Sequence, residues 1–76
     1  MDEKKVTFKE LLNPYTQNLG AEGAEKIIKE AVAEAMIILK DEFTKQEVLK
    51  ICEVLKKRGG YIKVIANLFA ARLILH

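Results

Sequence analysis

Cysteine, histidine and proline occur once each among these 76 residues, and aromatic side chains make up only 7% of them. With Cys52 alone there is no intrachain disulfide, and without a His/Cys cluster there is no structural metal to staple a small fold. The one thiol falls on an apolar helix face and the one imidazole, His76, belongs to no motif that would pair it with a nucleophile. The acids are spread along solvated helix faces, so paired-carboxylate chemistry has no material either. The chain is expected not to be an enzyme and to carry no cofactor or metal.

Other absences narrow the class further. Gly20-Ala21-Glu22-Gly23 lacks a preceding strand, GxGxxG spacing and a P-loop lysine, and its glutamate would repel phosphate; it reads as a hinge between helices. No apolar run reaches the roughly 20 residues that cross a bilayer, since the run at 61–75 is shorter and carries Lys63 and Arg72. Too few cations line that segment for it to lie on a membrane. The start, Met1-Asp2-Glu3-Lys4-Lys5, is not followed by an apolar stretch and is not read as a signal peptide. A lone thiol and no leader fit a cytoplasmic location.

Half of the residues are hydrophobic, mainly Ile, Leu, Val and Ala. A chain of this length makes one domain, 1–76, that buries roughly 60% of the surface its unfolded form exposes. Reinforcement must then come from an unusually apolar core or from self-association. The net charge of +2 is unevenly placed. Residues 1–43 hold six lysines against nine acids, giving −3, while 44–76 hold seven Lys/Arg against Glu47 and Glu53, giving +5. The two halves attract, within one chain or between copies.

Two helix starts are clearly written. Thr7-Phe8-Lys9-Glu10 and Thr44-Lys45-Gln46-Glu47 have the capping-box pattern, and each is flanked for a hydrophobic staple, Val6 with Leu11 and Phe43 with Val48. Pro14 is expected to end the first helix, with Asn13 capping one further turn that Gly20 terminates, so the N-terminal third is a bent arm over 7–19. From 21 to 40 the apolar positions Ala24, Ile27, Ile28, Ala31, Val32, Ala35, Ile38 and Leu39 recur at helical spacing. On the opposite side Glu30 and Glu34 are a repulsive i,i+4 pair. A third helix, 45–58, turns Val48, Ile51, Cys52 and Leu55 inward and ends at Gly59-Gly60; a fourth runs over 61–75. No segment has strand periodicity.

The last helix is apolar almost all round and so needs cover on more than one side. Ile62, Ile65, Ala66, Phe69 and Leu73 form one stripe; Val64, Leu68, Ala71 and Leu75 form a second, between Lys63 and Asn67 on one flank and Arg72 on the other. Arg72 either reaches solvent or pairs with Glu30 or Glu34 across an interface. Asn67 is expected in solvent beside Lys63. The expected fold is all-α: a small, irregular three- to four-helix bundle with a short bent arm, packed around Ile28, Val32, Leu49, Cys52, Leu55, Ile65 and Phe69, and dimeric.

The function this implies is a non-enzymatic protein–protein interaction or regulatory module that self-associates, or binds a partner helix, through Ile37, Val64, Leu68, Ala71, Arg72 and Leu75. The alternative is a dimeric nucleic-acid-binding regulator that uses Lys56, Lys57, Arg58 and Lys63 against phosphates. Glu47 to Leu73 bears a loose likeness to the first two helices of a helix-turn-helix. The helix after the turn, however, presents Ile, Leu, Val, Phe and Ala where base edges call for polar groups.

Overall fold

A computed structural model describes residues 5–75; the start of the chain and His76, both read above, lie outside the described residues. In chain order the elements are β1 (Val6–Thr7), α1 (Phe8–Glu34), β2 (Glu42–Phe43), α2 (Lys45–Lys56) and α3 (Gly60–Leu75). The molecule is thus mostly helical, with a small antiparallel two-stranded sheet.

Both capping boxes form. The Glu10 N–H donates to the Thr7 hydroxyl (3.1 Å) and the Thr7 N–H to the Glu10 carboxylate (2.9 Å); Thr44 and Glu47 repeat the pattern at 3.1 and 2.9 Å. An N-cap residue is extended, and here two extended stubs lie side by side. Val6 pairs with Phe43 and Thr7 with Glu42, and the Phe8 N–H donates to the Asp41 carbonyl (2.8 Å). The residues that precede the two caps are therefore partners across the sheet. All four staple residues, Val6, Leu11, Phe43 and Val48, are buried. The absence of strands expected from the sequence is corrected: two-residue strands are too short to show a period of two.

The expected break at Pro14 is also corrected. The helix runs through Pro14 and bends at Gly20, whose φ of 77° and ψ of 168° leave the helical region. Pro14 removes one backbone donor, and the turn persists because Leu11 and Tyr15, on either side of it, are both buried. The Thr16 hydroxyl donates to the Leu12 carbonyl across the same turn (3.0 Å).

The second limb of α1 ends at Glu34, short of the expected residue 40. Ala35 is the C-cap and Met36 takes a left-handed conformation, φ 60°. The Met36 N–H donates to the Ala33 carbonyl and the Ile37 N–H to the Val32 carbonyl, at 3.0 Å each. That pair of bonds is a Schellman motif, with methionine where glycine is usual. Ile37 then folds back onto the core while Met36, Ile38 and Leu39 are left exposed. The chain after it returns to β2 and α2.

α3 packs chiefly on α2, and α1 meets α2 more than it meets α3. Of the expected core, Ile28, Val32, Cys52 and Leu55 are buried, and Leu49, Ile65 and Phe69 pack partly buried against them. Val48 and Ile51 are buried beside Cys52 and Leu55 on α2, as the periodicity indicates.

Candidate interaction surface

Gly59 and Gly60 have φ of 74° and 59°, a left-handed pair that reverses the chain between α2 and α3. α3 consequently packs chiefly on α2, and the face it turns to the core carries Ile62, Ile65, Ala66, Phe69, Ala70 and Leu73, with the two alanines buried and the larger side chains half-buried. Small residues in the middle of this face let the two helices approach.

The opposite face of α3 is open. Tyr61 is 53% exposed, Val64 54%, Leu68 58%, Ile74 64% and Leu75 83%, and Ala71 is exposed among them. At 100° per residue this face points about 150° away from the one that contacts α2. A single copy therefore covers one stripe of the helix and leaves the other in solvent. Tyr61 and Ile74 extend the surface beyond the four positions named from the sequence; the same 3-4 spacing carried one step back from Val64 reaches Tyr61.

The flanking residues are polar. Lys63, Asn67 and Arg72 are exposed, and Arg72 makes no ion pair among the described residues. The acids considered for Arg72 are occupied instead by Arg58, whose guanidinium lies 3.1 Å from Glu30 and 3.7 Å from Glu34. Arg58 thereby offsets the repulsion between those two carboxylates and ties the end of α2 to the second limb of α1. Lys56 pairs with Glu53 (3.0 Å). Two of the four cations at the α2–α3 junction thus have acidic partners in the same chain, whereas Lys57 and Lys63 have none among the described residues.

Ile37, expected on the interaction surface, packs against the core of its own copy. Its neighbours Met36 (92% exposed) and Ile38 (81%) form a second apolar patch, beside a shallow groove edged by Lys40, Glu47 and Lys50. The sequence marks Met36 and Ile37 as a widening of the apolar surface here; the end of α1 at Glu34 keeps Met36 in the patch and exchanges Ile37 for Ile38, which an unbroken helix to Lys40 would have buried with Leu39 on the face of Ala31 and Ala35.

The interior offers little chemistry. Cys52 is buried, and the loss of solvent pushes its thiol up to about 11, with Lys56 opposing and Glu53 adding to the shift. Such a thiol stays protonated and unreactive at neutral pH. Burial likewise raises the Tyr15 phenol far above its ordinary range, and its hydroxyl is buried with no hydrogen-bond partner. Among the described residues no helix is long and apolar enough to cross a membrane. Comparison with protein families, curated proteins and solved structures finds no match to this chain.

Proposed function

We propose that the protein is a non-enzymatic interaction module, regulatory in role, that works by self-association through the outward face of α3. The observation that carries this reading is the exposure of Val64, Leu68, Ile74 and Leu75 on a helix whose other face is already packed. A contiguous apolar face edged by polar residues is the usual mark of a protein–protein contact. For a small domain with a single cysteine and no metal-binding cluster among the described residues, covering that face also supplies stability. The alternative, phosphate binding at the α2–α3 junction, is less well supported because Arg58 and Lys56 already neutralise Glu30, Glu34 and Glu53.

Sedimentation of the intact chain at tens of micromolar tests the reading. The wild type is expected at twice the monomer mass, and Leu68→Glu at the monomer mass with unchanged helix content, because position 68 is exposed within one copy. A wild type that stays monomeric throughout that range would overturn it.

A further inference from the structure

Resting on the self-association just proposed, we infer that α3 pairs with α3 of a second copy in antiparallel orientation, with Val64 opposite Leu75 and Leu68 opposite Ala71. The spacing of the open face carries the first step. Tyr61, Val64, Leu68, Ala71 and Leu75 fall at intervals of three and four, the a/d pattern of a two-stranded coiled-coil seam. All five are exposed, so the seam is already presented as a continuous strip along the helix. A second copy of the same strip is its natural complement.

Side-chain size sets the direction. Parallel pairing would place every seam residue against its own copy, so that Ala71 meets Ala71 and leaves a void between two leucine layers. Antiparallel pairing sets large against small instead: each Leu68 fills the space over the other copy's Ala71, and each Val64 sits under the other copy's Leu75. Every layer then holds a comparable volume, which close packing requires. The helix dipoles agree, since antiparallel neighbours place the positive end of each beside the negative end of the other.

The area fits a weak, concentration-dependent pair: Val64, Leu68, Ala71, Ile74 and Leu75 expose roughly 450 Å² per copy, so complete burial brings a pair to about 900 Å², short of the roughly 1,200–2,000 Å² of stable complexes and in the range of transient ones. Ile74 flanks the seam and enlarges it at its C-terminal end. The contact is isologous, as expected for a two-fold dimer.

Disulfide trapping in the full-length chain tests the orientation. A bridge needs Cα atoms closer than about 7 Å, whereas in the antiparallel pair position 64 is about 16 Å along the axis from its own copy, and so is position 75. Val64→Cys and Leu75→Cys proteins are oxidised separately and as an equimolar mixture, and the products are weighed by mass spectrometry. The antiparallel pair gives the mixed 64–75 disulfide in the mixture and little product from either variant alone. Strong bridging by each variant alone, with no mixed product, would overturn the orientation, as would failure to bridge in any arm. The native thiol is an internal control, because buried Cys52 should remain unmodified. Sedimentation of the unoxidised wild type separates the two failures: a monomer defeats the self-association reading, while a dimer without the mixed disulfide defeats only the antiparallel pairing.

Discussion

Among individual residues, Met36 carries the clearest conformational conflict. A side chain in the left-handed region crowds the following carbonyl, a cost of about 1–2 kcal/mol that glycine escapes. Met36 is 92% exposed, so little burial offsets that cost. Met36→Gly should therefore stabilise the fold by about 0.5–1 kcal/mol, net of the greater freedom glycine gives the unfolded chain. Gly59→Ala is the converse: a Cβ there meets nothing within 4 Å, yet the backbone lies at φ 74°, so stability should fall by about 1 kcal/mol through conformation alone. Urea midpoints measure both, and a Met36→Gly protein no more stable than wild type would remove the strain argument. Sequence reading could not locate this helix end, because its usual marker is the glycine that is missing here. Strain retained at the edge of an exposed apolar patch also identifies the Met36–Leu39 segment as the place where packing alone does not account for the residues present.

Among elements, the two capped helix starts were legible, and so was the close of α2 ahead of Gly59-Gly60 to within two residues, whereas the end of α1 was not. A capping box joins residues three apart, so Thr7/Glu10 and Thr44/Glu47 could be read locally and stand as read. The sheet joins Val6 to Phe43 through the tertiary fold, and the persistence of α1 through Pro14 depends on burial of Leu11 and Tyr15; neither leaves a local pattern. Lys40 shows the same limit. Its ammonium lies 2.7 Å from the Glu47 carboxylate and 5.8 Å from the Phe43 ring centre, contacts that exist only because the chain turns back after Met36. The hydrogen bond from Lys40 is the main reason the Glu47 carboxyl sits below its ordinary range, with the cap bond from Thr44 next. A carboxyl whose folded value is lowered contributes stability above its unfolded value and loses it as pH falls through the folded one. Glu47→Gln keeps an acceptor for the capping box but not the charge. The variant should be less stable than wild type at neutral pH, and the gap between their thermal midpoints should close as the solution is acidified below the ordinary carboxylate range. A gap that persists unchanged at low pH would place the effect in the cap and not in the ion pair.

At the scale of the whole molecule, the sequence showed more apolar surface on the last helix than one copy can cover, and the structure leaves that face open. The exposure of positions 64, 68, 71 and 75 follows from the two-glycine turn, which fixes which side of α3 meets α2. What could not be read was which basic residue meets the acids of α1: the charge imbalance between the halves implied an attraction, and only the fold shows that Arg58, not Arg72, supplies it. If folding and pairing are linked through α3, stability becomes a function of protein concentration. A hundredfold dilution within the range where the dimer predominates removes about 2.7 kcal/mol per dimer by mass action, or about half that per copy. For a domain of this size the thermal midpoint should then fall on the order of 5–10 °C. Leu68→Glu should melt at one temperature across the same dilution series, at or below the lowest wild-type midpoint. Calorimetry or helix-signal melting at both ends of the series reads the difference directly. A wild-type midpoint that does not move with concentration would mean that the open face of α3 contributes nothing to folding.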